Sequence, residues 1–218
     1  MKTLLTILLL SCFIQQDDET RKLLNGMENT SLPFECTRDI NFQWKEISKS
    51  TRDSIDFYFY WDIKLTKKVK EKRGEVFPLR KFEQPNFTLL AVTVNFKADG
   101  HTQWLLTYDK QNRIIDTLVC GIYFLDPPDQ FLLQQWRINE KREIQVSFVK
   151  IDPDAFIHPF RNNPAQGQRV DTFYQLTDDG HFKKSREVKY KPRTYTSQYL
   201  RTENLWNGPE TPVERADE

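Results

Sequence analysis

Hydrophobic and polar residues alternate along much of this chain with a period of two. The clearest example is residues 55–65, where every second position holds Ile, Phe, Phe, Trp, Ile or Leu. A period of two places alternate side chains on opposite faces of a strand, so the pattern predicts a half-buried β-strand. The aromatic and β-branched residues of this segment favour the same structure.

Turn-forming residues divide the chain after Pro85 into segments of strand length. Asp, Asn and Gly dominate these turns, which is typical of hairpin connections. The turns fall at residues 99–100, 109–112, 139–142 and 178–180. The prolines of residues 124–129 predict a break in the sheet, and the Asn, Pro and Gly residues of 161–169 predict a loop.

The segments between these turns have the composition of strands. They are residues 87–96, 102–108, 114–123, 131–138, 144–151, 172–176 and 181–190. Because consecutive strands joined by short turns pair in opposite directions, we expect an antiparallel β-meander sheet. The sequence therefore predicts a mainly β fold, with α+β as the alternative.

The first dozen residues have the pattern of a secretory signal peptide. Lys2 is followed by seven mostly apolar residues, a stretch far shorter than the ~20 residues that a membrane-spanning helix needs. The next residues complete the run Leu-Leu-Ser-Cys, which ends at Cys12 and resembles the lipobox of bacterial lipoproteins. Residues 15–19, Gln-Gln-Asp-Asp-Glu, resemble the acidic export signal of surface lipoproteins in the Bacteroidota.

Together with the meander between residues 87 and 189, these motifs resemble the β-rich surface lipoproteins of the Bacteroidota. The resemblance implies removal of the signal peptide, palmitate or a similar acyl chain on Cys12, and a place on the outer membrane, exposed at the cell surface. Two or three acyl chains anchor a protein firmly. The resemblance brings no activity with it. The alternative is an ordinary apolar N-terminal strand or helix that contains a cysteine.

Polar segments flank the predicted β domain. The residues that follow Cys12 are rich in Asp, Glu, Asn, Thr and Ser, and those after Trp206 are rich in Pro and acidic residues, so both segments predict disorder. The expected organisation is a signal peptide (1–11), a lipidated flexible tether (12–33), a β-rich domain (34–206) and a disordered tail (207–218).

Two cysteines remain if Cys12 carries lipid. Cys36 and Cys120 are a candidate disulfide, because an envelope protein folds in an oxidising compartment. The alternative is a pair of buried thiols that behave as small hydrophobic residues, which suits the apolar surroundings of Cys120.

Charge balance argues against nucleic acid as a partner. Lys and Arg total 32 and Asp and Glu total 31, so the formal net charge is +1 and no strong field attracts polyanions. One basic run, residues 64–73, includes Lys67 and Lys68. It forms either a solvated strand end or a docking surface for an acidic glycan or another negatively charged partner.

Tyr58 and Tyr60 lie on the polar face of the predicted strand at residues 55–65. Exposed rings stack on sugars and anchor protein interfaces, whereas a strand covered on both sides would bury them. The candidate binding residues are therefore Tyr58, Tyr60, Lys67 and Lys68.

Catalytic patterns are weak in this sequence. His101, His158 and His181 lack the short spacing of metal ligands, so we expect no metal and no other cofactor. The carboxylate pairs of residues 126/129 and 152/154 would suit acid–base chemistry, but their proline neighbours favour turns. No catalytic residue is assigned.

The expected function is a lipid-anchored envelope protein that acts as a non-catalytic binding or accessory module. Its membrane contact is the lipid, and its ligand is a glycan or a protein. The alternative is an immunity or inhibitor protein directed against a toxin or hydrolase. An adjacent toxin gene would favour the alternative, and adjacent outer-membrane transporter genes would favour ligand capture.

Overall fold

The computed structural model describes residues 21, 24–36, 75–95, 100–126, 130–151 and 164–213. Two short helices follow the strands in these ranges: helix α1 at Ser197–Thr202 and a 3-10 helix at Leu205–Asn207. The strands are β1 (Phe34–Glu35), β2 (Glu75–Glu83), β3 (Thr88–Asn95), β4 (Gly100–Tyr108), β5 (Ile114–Asp126), β6 (Gln130–Ile138), β7 (Glu143–Ile151), β8 (Ala165–Leu176), β9 (Phe182–Lys189) and β10 (Arg193–Tyr195).

The ten described strands form one antiparallel sheet. Strands β2 to β8 lie side by side in chain order, as a meander does. At the β8 edge, β10 pairs with the first residues of β8 and β9 with the later ones, while β1 pairs with the end of β6. The predicted mainly β fold and antiparallel meander are confirmed.

The larger hydrophobic core covers one face of the sheet. It includes Phe82, Leu105, Trp136 and Ile144, each at most 1% exposed. The β8–β9 hairpin bends onto β4 and β5, where the Thr107 hydroxyl donates to the Gly180 carbonyl at 2.7 Å. Because this contact joins strands that are distant in the sheet order, the sheet curves around the core.

Cys36 and Cys120 lie in this core as free, buried thiols. The Cys36 thiol donates to Oε1 of Gln103 at 3.1 Å, and the Cys120 thiol lies 3.5 Å from the Gln103 carbonyl oxygen. The indole N–H of Trp136 donates to the same Oε1 at 2.9 Å. The candidate disulfide is therefore not formed in this structure, and both thiols pack as small apolar groups.

The opposite face of β6, β7 and β8 carries a second core, which the C-terminal part of the chain covers. Leu133 and Val149 of the sheet pack with Tyr195, Leu200 and Leu205. Helix α1 begins at an N-cap, where the Thr196 hydroxyl accepts a hydrogen bond from the Tyr199 backbone N–H at 3.1 Å. This face also contains buried polar groups, among them Gln135, Arg169 and Asp171.

The boundaries of the ordered domain differ from the predicted ones at both ends. Within the predicted tether, Leu24 is buried and the Thr30 N–H donates to the Lys81 carbonyl at 2.7 Å, so these residues pack on β2. Within the predicted tail, the Val213 N–H donates to the Lys189 carbonyl at 2.8 Å. Backbone pairing, which composition does not reveal, orders residues 24–33 and 207–213.

Three segments inside the predicted β domain differ from the structure or lie outside the described residues. The predicted loop at residues 161–169 is corrected in part, because β8 already begins at Ala165 and pairs there with β10. Strand β2, which no sequence pattern had marked, pairs along β3 with one irregularity beside Pro78. The predicted strand at residues 55–65 lies outside the described residues.

Candidate functional site

A row of five residues crosses the sheet on its second face. Successive strand pairings place these residues directly opposite one another, and such partners point to the same side. From β1 through β6, β7 and β8 to β9, the row is Glu35, Arg137, Gln145, Phe173 and Arg186. At ~4.8 Å per strand, the row spans roughly 19 Å.

This row forms the floor of a pocket of about 370 Å³. Trp206 of the 3-10 helix and Tyr190, which follows β9, contribute aromatic walls. The remaining lining residues are Pro33, Ile138, Asn139, Glu143 and Arg169. The volume lies within the ~300–1,000 Å³ that small-molecule sites occupy. We call it the arginine–aromatic pocket.

The arginines of the pocket stack on its aromatic rings. The Arg186 guanidinium carbon lies 3.5 Å from the centroid of the Phe173 ring, and that of Arg137 lies 5.4 Å from the Trp206 ring. Guanidinium groups within about 6 Å of a ring face are attracted by its quadrupole. Stacking therefore holds both side chains across the pocket while their N–H groups stay available at its surface.

Each of these two arginines lies near one carboxylate, at a distance longer than that of a normal charged hydrogen bond. Glu35 lies 3.4 Å from Arg137, and Glu143 lies 3.5 Å from Arg186, measured between nitrogen and oxygen. All four side chains are partly exposed. Charge-assisted hydrogen bonds of this type are normally about 2.7–2.9 Å long. These two pairs are looser, so their donors and acceptors retain capacity for a third group.

Behind the pocket, the buried side chain of Arg169 joins β8 to the C-terminal segment of the chain. Its side chain is 4% exposed, and it binds both carboxylate oxygens of Asp171 at 2.8 and 2.6 Å. The same guanidinium donates to the Leu205 carbonyl and reaches Glu210 at 3.3 Å. Burial lowers the pKa of Arg169, but the hydrogen bond and charge of Asp171, together with the charges of Tyr190 and Glu210, more than offset this, so the net shift is upward.

Asp171 also accepts hydrogen bonds from two residues that line the pocket. The Gln145 amide donates to it at 2.6 Å, and the Tyr190 hydroxyl donates at 3.0 Å. Burial, followed by the negative charge of Asp171, raises the pKa of Tyr190, so this hydroxyl keeps its proton. Gln145 in turn accepts from Arg137 at 2.7 Å. A continuous chain of hydrogen bonds thus orients the pocket floor from the buried ion pair.

Two anchors hold Trp206 in place. On one side, the Leu205 N–H donates to Gln135 at 2.8 Å and the Leu205 carbonyl accepts from Arg169. On the other side, the Glu210 side chain is fully buried and accepts from Arg193 at 2.9 Å and from the Tyr195 hydroxyl at 3.1 Å. The chain between these anchors carries the indole over Arg137.

The indole N–H of Trp206 is buried without a hydrogen-bond partner among the described residues. Buried polar groups are nearly always paired, and leaving one unpaired costs about 1–3 kcal/mol. Because the N–H is buried, an acceptor reaches it only if the groups that cover it move.

Most candidate residues from the sequence lie elsewhere. Cys12, Tyr58, Tyr60, Lys67 and Lys68 lie outside the described residues, as do Asp129, Asp152, Asp154 and His158. Cys36 and Cys120 belong to the first core and not to the pocket. His181 lies near Asp116, with 3.5 Å between Nδ1 and Oδ2, on the β5 and β9 side of the fold.

Two further findings concern the described ranges only. They contain no cluster of three His, Cys, Asp or Glu side chains arranged to hold a metal ion. Nor do they contain a helix with the length and hydropathy of a membrane-spanning segment.

The sequence did contain one signal for this pocket. The predicted hairpin with its turn at residues 139–142 places Arg137 opposite Gln145, and both belong to the polar face of their strands. The partners from β1, β8 and β9 carry no comparable signal, because their register depends on long-range pairing. Trp206 ends the β-rich domain that the sequence predicts, and no sequence pattern indicates that it lines a pocket.

No protein-family model, no curated protein and no solved structure matches this chain. The resemblance of residues 9–19 to bacterial surface lipoproteins therefore stays a prediction from the sequence.

Proposed function

We propose that the protein is a non-catalytic binding module of the bacterial envelope, held by lipid at Cys12, and that it captures a small polar ligand in the arginine–aromatic pocket. The observation that carries the proposal is the row from Glu35 to Arg186, in which five neighbouring strands present polar and aromatic side chains to one cavity. Rigid strands position such groups more precisely than loops do.

The arrangement of charges favours binding over catalysis. The carboxylates of Glu35 and Glu143 each lie beside a guanidinium, at 3.4 and 3.5 Å respectively. Such pairs present fixed donors and acceptors to a ligand. The buried ion pair of Arg169 and Asp171 keeps these groups in position through Gln145.

A ligand screen tests the binding function. Purified protein is examined by thermal shift against a library of saccharides, amino acids, carboxylic acids and nucleosides, and the affinity of any stabilising compound is measured by calorimetry. We expect Trp206→Ala to weaken binding at least tenfold, since aromatic anchors contribute on the order of 2 kcal/mol. Trp104→Ala is the matched control, because Trp104 does not line the pocket.

Two results would contradict the binding function. One is that no compound in the library raises the unfolding temperature. The other is that a bound compound keeps its full affinity in the Trp206→Ala variant while circular dichroism shows the variant to be folded.

Lipid attachment is tested separately. Metabolic labelling with a palmitate analogue should mark the wild-type protein and not the Cys12→Ala variant, because the thiol of Cys12 is the proposed acceptor of the acyl chain. Cys36→Ala serves as the matched control and should be labelled like the wild type. Equal labelling of Cys12→Ala and wild type would remove the anchor from the proposal and leave the pocket unaffected.

A further inference from the structure

We propose that the ligand of the arginine–aromatic pocket is an uncharged saccharide unit, bound against Trp206 between the pairs Glu35–Arg137 and Glu143–Arg186. This inference rests on the proposed binding function and adds the chemical class of the ligand. Three features of the pocket support this inference. They are its charge balance, its alternating donors and acceptors, and the flat indole ring of Trp206 with its unpaired N–H.

The charges that line the pocket cancel. Arg137 and Arg186 are each matched by one carboxylate, Glu35 and Glu143 respectively. The third arginine, Arg169, is already paired with Asp171 and Glu210 behind the pocket. A site for an anion needs a surplus of positive charge to offset the desolvation of both partners. The described residues that line this cavity provide no such surplus, so their charge balance favours an uncharged ligand.

Donors and acceptors alternate around the pocket. A guanidinium only donates hydrogen bonds and a carboxylate only accepts them, whereas a hydroxyl does both. Adjacent hydroxyls of a sugar can therefore donate to Glu35 and accept from Arg137, which lie 3.4 Å apart. The same pattern repeats at the other end of the row, where Glu143 and Arg186 lie 3.5 Å apart. Asn139 adds an amide that both donates and accepts.

Trp206 contributes the apolar and the directional part of the site. A sugar ring has an apolar face of C–H groups and a rim of hydroxyls, and indole rings offer a matching flat surface with a polar N–H at one edge. The Trp206 N–H has no acceptor among the described residues. Because this N–H is buried, a sugar oxygen pairs with it only if the groups that cover it shift when the ligand binds. A purely apolar ligand would cover the four charged groups without adding a hydrogen bond to any of them.

Titration of the purified protein, followed by proton–nitrogen correlation NMR of the tryptophan indoles, tests the ligand class. The probes are glucose, galactose, N-acetylglucosamine, maltose, cellobiose and lactose, compared with glucuronate, N-acetylneuraminate and acetate. The Trp206 signal is assigned by its disappearance in Trp206→Phe. The Trp104 indole, which donates to Thr102 at 3.0 Å outside the pocket, is the internal control.

We expect at least one uncharged saccharide to move the Trp206 signal and leave the Trp104 signal in place. Its affinity, measured by calorimetry, should fall at least fivefold in Trp206→Phe, which keeps a ring but removes the N–H, and in Arg137→Met. Arg113→Met is the matched control for the second variant, since Arg113 is exposed and lies outside the pocket. Its affinity should equal that of the wild type.

The outcomes separate the two proposals. If only the acidic probes move the Trp206 signal, or if the library screen yields only ligands of another class, the saccharide assignment is overturned and the binding function stands. If no saccharide, acidic probe or library compound affects Trp206 or the unfolding temperature, both proposals fail.

Discussion

Replacing Arg169 with methionine is expected to lower the free energy of unfolding by about 3–5 kcal/mol, the usual cost of removing one partner of a buried ion pair. The substitution leaves the carboxylate of Asp171, whose side chain is fully buried, without its bidentate partner. It also removes a donor from the Leu205 carbonyl and a cation from the neighbourhood of Glu210. Urea unfolding, followed by far-ultraviolet circular dichroism, measures the change.

A control variant and a double variant test whether the loss comes from the buried ion pair. Arg113→Met removes an arginine that is 71% exposed and lies 2.7 Å from Asp109, so it should cost less than about 1 kcal/mol. The double variant Arg169→Met/Asp171→Leu should recover part of the loss, because it no longer buries an unpaired charge at position 171. A loss for Arg169→Met as small as that for Arg113→Met would show that the ion pair does not hold the C-terminal segment.

The predicted turns show how far local sequence determines this fold. Asn112, Arg142 and Gly180, which adopt φ values of 60°, 61° and 87°, all lie in turns that the sequence had marked. Positive φ in short connections is favoured by Asn, Asp and Gly, so the turn and the pairing of the flanking strands follow from local chemistry. Arg142 fits less simply, and its side chain pairs with Asp178 of a neighbouring turn.

The pocket depends on pairings that local sequence does not determine. Glu35 reaches Arg137 across a hundred residues of chain, and Arg186 meets Phe173 next to an irregularity in the β8–β9 pairing. A shift of one residue would turn either side chain to the other face of the sheet. The sequence therefore indicates a sheet and one hairpin of the pocket floor, while the complete row emerges only from the three-dimensional register.

Glu210 illustrates why composition misplaced the end of the domain. Its neighbours are Gly, Pro and Thr, a composition typical of a disordered tail. In the folded protein its carboxylate is fully buried between Arg169 and Arg193. A buried charge needs specific partners, and these come from β8 and β10, more than fifteen residues earlier in the chain. Segment composition alone cannot report such partners.

The free energy of unfolding is expected to fall steadily as the pH rises above about 9. The first groups responsible are the two buried thiols. Burial raises the pKa of Cys36 from 9.0 to about 12, although its hydrogen bond with Gln103 and the charge of Arg80 act in the opposite direction. Burial also raises the pKa of Cys120 well above 9.0. In the unfolded chain both thiols lose their protons near their ordinary pKa, while in the folded protein they retain them.

The direction of the effect follows from this difference. A pKa that is raised in the folded state contributes stability that is fully present below the unfolded value and is lost as the pH rises toward the folded value. Between about pH 9 and 12 each such group lowers the free energy of unfolding by about 1.4 kcal/mol per pH unit. Burial likewise raises the pKa of Tyr190, Tyr195 and Tyr199 from 10.0, so the slope should steepen above pH 10.

Urea unfolding between pH 7 and 11 measures this decline, and Cys36→Ser is the matched variant. Serine keeps a hydroxyl within reach of Gln103 but does not titrate in this range, so the variant should lose less stability than the wild type between about pH 9 and 10. In a Cys12→Ala background, where Cys36 and Cys120 are the two remaining cysteines, iodoacetamide should label both thiols only at the rate of unfolding, because the thiolate is the reactive form. Rapid labelling of the native protein, or stability that is independent of pH up to 11, would contradict the buried, protonated state of this pair.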